Sequence, residues 1–164
     1  MSKQPLVGIL AGSESDLDVI RAAASTLDEL GISYELRIAS AHRTPARVRE
    51  YAEEAEGRGI KVIICAAGMA AHLAGAVAAT TDVPVIGVPM PGGVGDGLDA
   101  LLSTVQMPAG VPVATVAVGK AGAHNAVLLA ARILALYDEE LRGRLRVYRD
   151  EMAAAVEAKN AELS

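Results

Sequence analysis

Ser40-Ala41-His42-Arg43-Thr44-Pro45 sets a hydroxyl, an imidazole and a guanidinium within four residues. Imidazole is the side chain whose proton moves near neutral pH. Guanidinium is a planar fork that matches phosphate oxygens. The run lies between an apolar stretch, residues 32–39, and a helix that can open at Pro45. A turn at the carboxyl end of a strand, feeding a helix N-terminus, is where open α/β proteins bind anions. The six residues therefore read as an acid–base group beside an anion clamp. An ordinary strand-to-helix turn with polar surface residues is the competing reading.

Two other turns carry polar or small residues at matching places. Gly12-Ser13-Glu14-Ser15-Asp16 follows the apolar run 6–11. It is neither G-x-G-x-x-G nor G-x-x-x-x-G-K-[ST], so dinucleotide and Walker-type loops are excluded. Ser13, Ser15 and Asp16 can still meet a phosphate and sugar hydroxyls, since backbone N–H groups at a helix start suit phosphate and carboxylates suit ribose. Capping of the following helix is the alternative. Ala67-Gly68-Met69-Ala70-Ala71-His72-Leu73 is a small-residue turn after a third apolar run. His42 and His72 thus each follow a strand, and the first three turns are expected to converge on one ligand. His42, His72 and His124 form no H-x-x-x-H or H-E-x-x-H pair, so no zinc site is expected. His124, early in a helix beside Asn125, reads as a capping or packing residue. Cys65, inside an apolar strand with no base beside it, reads as a buried inert thiol.

Holding these turns requires alternating strands and helices. Residues 6–11, 33–38, 61–66, 83–90 and 113–118 are short apolar runs with β-branched content, expected to be strands. The third, KVIICA, is apolar nearly throughout, as a strand covered on both faces is. Helices are expected over about 17–30, 45–56, 98–106 and 123–137, with a short one before residue 80. Leu17, Ile20, Ala24, Leu27 and Leu30 keep helical spacing, and Gly31 ends the first helix. Thr44 is the expected cap of the second and Pro45 its first residue. Residues 91–97, with four glycines and no periodicity, are expected to be a flexible loop. The alternation predicts a doubly wound, parallel five-stranded sheet between two helical layers. Leu141, Leu145, Tyr148, Met152 and Val156 then form a narrow apolar stripe on a charged helix. The chain is accordingly expected to divide into a domain over 1–140 and an oligomerisation helix over 141–164, unless that helix folds back on its own sheet.

Composition narrows the function. Net charge is -5, with acids and bases interspersed, and no basic footprint for nucleic acid is visible. No Trp, no Phe and only four Tyr argue against a stacking platform for single strands and against an aromatic sandwich for flavin. A response regulator needs an aspartate at the end of strand three, where Cys65-Ala66-Ala67-Gly68 stands. No G-x-S-x-G elbow exists. A single cysteine forms no internal disulfide. No apolar run reaches membrane-spanning length unbroken, and the first residues lack a signal-peptide pattern. A cytoplasmic protein is expected.

AGSESD (11–16), SAHRTP (40–45), AAHL (70–73), PVIGVP (84–89), STVQMPAGVPVATVAVGKAG (103–122) and NAVLLAARIL (125–134) together resemble the class I, bacterial-type N5-carboxyaminoimidazole ribonucleotide mutases of de novo purine synthesis, over nearly the whole chain. The resemblance implies a cytoplasmic isomerase with a flavodoxin-like three-layer fold and a phosphoribosyl imidazole substrate, without cofactor or metal. It also implies a homo-octamer whose C-terminal helices embrace neighbours. By position it makes His42 the general acid/base. Ser13, Ser15, Ser40 and Arg43 fall at the 5′-phosphate, Asp16 at the ribose, and Gly12 among the substrate-binding residues. Gly68, Ala70, His72 and Leu73 fall on the carboxylate, CO2 and imidazole side. Relatives that carboxylate directly with CO2 typically carry Lys where Arg43 stands, so Arg43 points to the mutase branch. Met69, Ala74 and Ala100 replace the family's usual Gly, Pro and Ser.

Overall fold

The computed structural model describes residues 4–163. Strands β1 (Val7–Ala11), β2 (Tyr34–Ile38), β3 (Val62–Ala67), β4 (Val85–Pro89) and β5 (Ala114–Thr115) pair in parallel in the order β2-β1-β3-β4-β5. The helices are α1 (Leu17–Glu29), α2 (Pro45–Glu54), α3 (Leu73–Ala78), α4 (Leu98–Val105), α5 (Gly119–Leu134) and α6 (Glu139–Glu162). Alternate strand residues supply two cores. Val7, Ile9, Val62 and Ile64 meet α1 and α5, whereas Leu10, Ile63 and Cys65 meet α2 and α3. α4 joins the second layer where Thr104 lies against Gly87 beside Ala74. This is the expected flavodoxin-like, doubly wound sandwich.

Register sets the position of the turns. Ala11 pairs with both Ile38 and Ala66, and Ala67 pairs with Pro89. Four strands therefore end at one level. The chain runs outward from β1 to β2 and then crosses back to β3, so a topological switch lies between β1 and β3, where open α/β sheets form their ligand crevice.

Several element ends are as the sequence indicates. Gly31, at φ +68, donates its N–H to the Asp28 carbonyl while Ile32 donates to Leu27, a Schellman closure of α1. Others differ. β5 pairs only two residues with β4, where six were expected; Val116 adds one bond to the Gly87 carbonyl before the chain leaves this edge of the sheet. α5 starts at Gly119, earlier than expected, and takes the whole Gly119–Gly122 run into its first turn. A Cβ at Gly122 would collide with the Ala117 carbonyl, so the tight entry depends on that glycine. Only one face of α5 is fully buried, through Ala123, Ala126, Val127, Ala130 and Ala131.

The C-terminal helix has two halves. Asp138 caps it by accepting the Leu141 N–H. Leu141 is buried in the core shared with α1 and α5, and Leu145 packs against it. Arg144 Nε donates to the Leu30 carbonyl at 2.9 Å, and Arg142 Nη2 to the Ala135 carbonyl at 3.0 Å. Two guanidinium groups thus meet carbonyls left open at the C-terminal ends of α1 and α5. The first half is folded back on its own body. From Arg149 to Leu163 every residue is exposed, Met152 and Val156 included.

Candidate active site

The turn after β1 is tied to β3 by the Gly12 N–H, which donates to the Ala66 carbonyl at 2.8 Å. Ser13 and Ser15 are hydrogen-bonded through their hydroxyls, and both reach the Asp16 carboxylate. Asp16 occupies the N-cap position of α1 but caps no N–H; its side chain turns toward the serines and is buried. Burial pushes its carboxyl above the usual range, and bonds from Ser13 and then Ser15 partly offset this. A polar carboxylate with poor hydration is thereby aimed where a hydroxyl-bearing ligand could satisfy it.

The turn after β2 closes on itself. The Ser40 carbonyl accepts the Thr44 N–H at 2.8 Å and the Thr44 hydroxyl at 3.0 Å, and the Ser40 hydroxyl accepts the Arg43 N–H at 3.2 Å. Thr44 holds the N-cap position of α2, yet its hydroxyl makes no cap bond. The expected capping role is replaced by this backward bond, because Oγ1 also accepts the Ser40 N–H. The compact turn leaves His42 and Arg43 exposed. Among the described residues no carboxylate pairs with the Arg43 guanidinium, which is free for an anion.

The turn after β3 is pinned from α4. Ser103 Oγ accepts the Ala71 N–H at 3.0 Å and lies 2.7 Å from the Asp99 carbonyl and 3.2 Å from that of Met69. Met69 takes φ +55, a left-handed conformation that glycine adopts more easily, and its side chain is 65% exposed. It points largely to solvent. Ala70 and His72 are exposed, while Leu73 is buried and forms the floor. His72 stands at the N-cap of α3 without capping it. Its Nδ1 instead lies 2.8 Å from His42 Nε2, with the rings edge to face.

These turns enclose one cavity of about 480 Å³. Gly12, Ser13, Ser15, Asp16, Ser40, His42, Arg43, Gly68, Ala70, His72 and Leu73 all line it. The residues expected at the ligand are thus at one place, and His124 is not among them. A second hollow beside Ser13, Ser15, Ser40, Arg43 and Thr44 extends it outward. Pro91, Gly92 and Gly93 complete the wall and were missed, as was Ser103. Residues 91–97, expected to be a flexible loop, contain a 3-10 turn (Val94–Asp96) held by two carboxylates: Asp96 accepts the Gly92 N–H and Asp99 the Val94 N–H. The signal available was position, since this turn follows the strand next to β3. Cys65 is buried beneath the site and burial drives its thiol far up, so it takes no part as a nucleophile. Among the described residues no group of three or more His, Cys, Asp or Glu is arranged to hold a metal ion.

Residues 6–155 match the family model for AIR carboxylase. The chain belongs to the AIR carboxylase family. It is 55% identical to the N5-carboxyaminoimidazole ribonucleotide mutase of Mycobacterium leprae over 163 residues, covering 99% of this chain and 94% of that one. It is 56% identical to the Bacillus subtilis protein of the same name, covering 93% of this chain and 94% of that one. The crystal structure of Treponema denticola PurE superposes with a TM-score of 0.88 at 35% identity, covering 98% of this chain and 99% of the other.

Proposed function

We propose that this AIR carboxylase family member is the mutase that converts N5-carboxyaminoimidazole ribonucleotide to 4-carboxy-5-aminoimidazole ribonucleotide in de novo purine synthesis. The observation that carries this reading is the gathering of His42, Arg43, Asp16 and Gly68 on one cavity, in a chain whose relatives at about 55% identity bear the mutase name.

In this reading the exocyclic carbamate breaks its C–N bond and releases CO2. The electron pair returns to nitrogen, which takes a proton from the imidazolium form of His42 and leaves the ring neutral. Carbon 4 of the electron-rich aminoimidazole attacks the trapped CO2, and His42 then removes the carbon 4 proton. Atoms balance, and one imidazole serves both transfers. Small residues at 68 and 70 leave room for CO2 close to the ring, so recapture is effectively unimolecular. Arg43 and the serines hold the phosphate and Asp16 the ribose hydroxyls, while Gly68, Ala70, His72 and Leu73 line the carboxylate, CO2 and imidazole side. The reaction needs no cofactor.

The enzyme works in the cytoplasm as a homo-octamer, with the exposed second half of α6 as the joining arm. Met152 and Val156, both exposed on it, support that role. Among the described residues no helix is long and apolar enough to cross a membrane. Cutting the chain after Tyr148, which keeps Leu141, Arg144 and Leu145, should lower the assembly size in light scattering while circular dichroism stays native; full assembly size would remove the arm.

An ultraviolet assay with the two carboxylated ribonucleotides, without ATP or added metal, tests the activity. Interconversion is expected. Carboxylation of aminoimidazole ribonucleotide by free CO2 alone would make the protein a direct carboxylase, and binding without conversion would make it a non-catalytic module.

A further inference from the structure

We propose that His72 is a positioning residue that acts through His42, accepting its Nε2–H while the cavity is empty and giving way to the substrate's exocyclic nitrogen when the cavity fills. The inference rests on the mutase reading for its direction and on the structure for its geometry.

The geometry is specific. His42 Nε2 and His72 Nδ1 are 2.8 Å apart with ring planes at 75°, so one hydrogen sits between two ring nitrogens. His72 is not placed there by local need. It stands at the N-cap of α3, where Ser, Thr, Asp or Asn would accept an N–H, and its side chain caps nothing. The turn that carries it is fixed from outside by the Ala71 N–H to Ser103 Oγ bond. On the other side, the turn carrying His42 is locked by the mutual bonds of Ser40 and Thr44. Two independently braced turns thus bring the imidazoles together. Neither His42 Nδ1 nor His72 Nε2 has a protein partner among the described residues, so the 2.8 Å bond is the one protein contact that can set the proton pattern of the pair.

Chemistry sets the direction. The first step needs a hydrogen on His42 Nε2, ready for the departing nitrogen. With that hydrogen in place, His72 Nδ1 must accept, and His72 must carry its own hydrogen on Nε2. The substrate nitrogen then replaces one acceptor by another, so His42 arrives already protonated at the correct atom. Loss of the group that holds and orients a triad histidine costs several orders of magnitude. A looser effect is expected here, because both rings are exposed and water can substitute.

The test uses the full chain with 15N-labelled histidine. In substrate-free protein, His72 Nδ1 should show the shift of an unprotonated, hydrogen-bonded nitrogen and His72 Nε2 that of an N–H. His72→Ala should change the His42 Nε2 signal and lower kcat about 10- to 100-fold, with KM moving less than about threefold. His72→Asn, which can still offer an acceptor, should restore most of kcat. A hydrogen on His72 Nδ1, or His42 signals unmoved in His72→Ala, would overturn the proposal. A rise in KM alone would do so too, leaving His72 only a substrate contact. The wild-type assay runs beside these, so loss of the mutase reading would show as no conversion by the parent protein while the nitrogen shifts still report the pair.

Discussion

Two histidines in this protein make nearly identical hydrogen bonds and do different things. His42 Nε2 lies 2.8 Å from His72, and His124 Nε2 lies 2.7 Å from the Tyr148 hydroxyl. The first bond joins two turns at an open cavity, between exposed rings that hold no helix to another. The second is half-buried and clamps α5 to the folded-back half of α6, behind the core that contains Leu141. A short bond by itself therefore does not mark chemistry. What separates the two is the company each keeps. His42 has an unpaired guanidinium, a poorly hydrated carboxylate and empty space beside it, whereas His124 meets a phenol between two helices.

His42→Asn should break the comparison most sharply. Turnover in the ultraviolet assay should fall roughly 10² to 10⁴-fold, while the melting temperature stays near that of the parent because the ring is exposed and the two turns it joins are each braced by other bonds. Wild-type turnover would end the acid–base assignment. Arg43→Lys comes next. Lysine keeps the charge but loses the planar fork, so KM should rise about tenfold, one charge-assisted bond's worth; an unchanged KM would put the phosphate elsewhere. His124→Phe reverses the pattern. Removing one half-buried bond should cost about 1 kcal/mol and lower the melting temperature by about 2–4 °C, with kcat unaltered in the same assay.

Asp16→Asn is the smallest and most informative case. The folded state raises the Asp16 carboxyl above its unfolded value, mainly by burial. Its contribution therefore favours folding below the ordinary carboxyl range and is lost as pH rises through the folded value. At neutral pH the parent carries that penalty and the amide does not. The variant should melt slightly higher than the parent at pH 7, and the gap should close toward about pH 3. Its KM should nonetheless rise, since the ribose hydroxyls lose a charged acceptor. A variant less stable at pH 7 would show that the serine bonds outweigh burial.

Much of this protein is written in local pattern. Apolar runs of five or six residues separated by helix-length segments determine a parallel sheet, because only burial on both faces suits such strands. Gly31 after Leu30 determines where α1 stops. The SAHRTP run sets an imidazole beside a guanidinium wherever the fold puts it. Other features were decided in three dimensions. The level ends of β1, β2, β3 and β4 bring separate turns to one cavity, and register is a property of pairing across the sheet. Ser103 reaches the Met69–His72 turn from α4, Asp96 and Asp99 order the glycine loop, and Arg142 and Arg144 find open carbonyls on other helices. Thr44 turns back to Ser40 where its spacing suggested a cap. Such contacts join residues far apart in the chain or choose between equal local options, so periodicity carries no record of them. The direct meeting of His42 with His72, thirty positions apart, belongs to that second class, because only a fixed distance between two braced turns creates it.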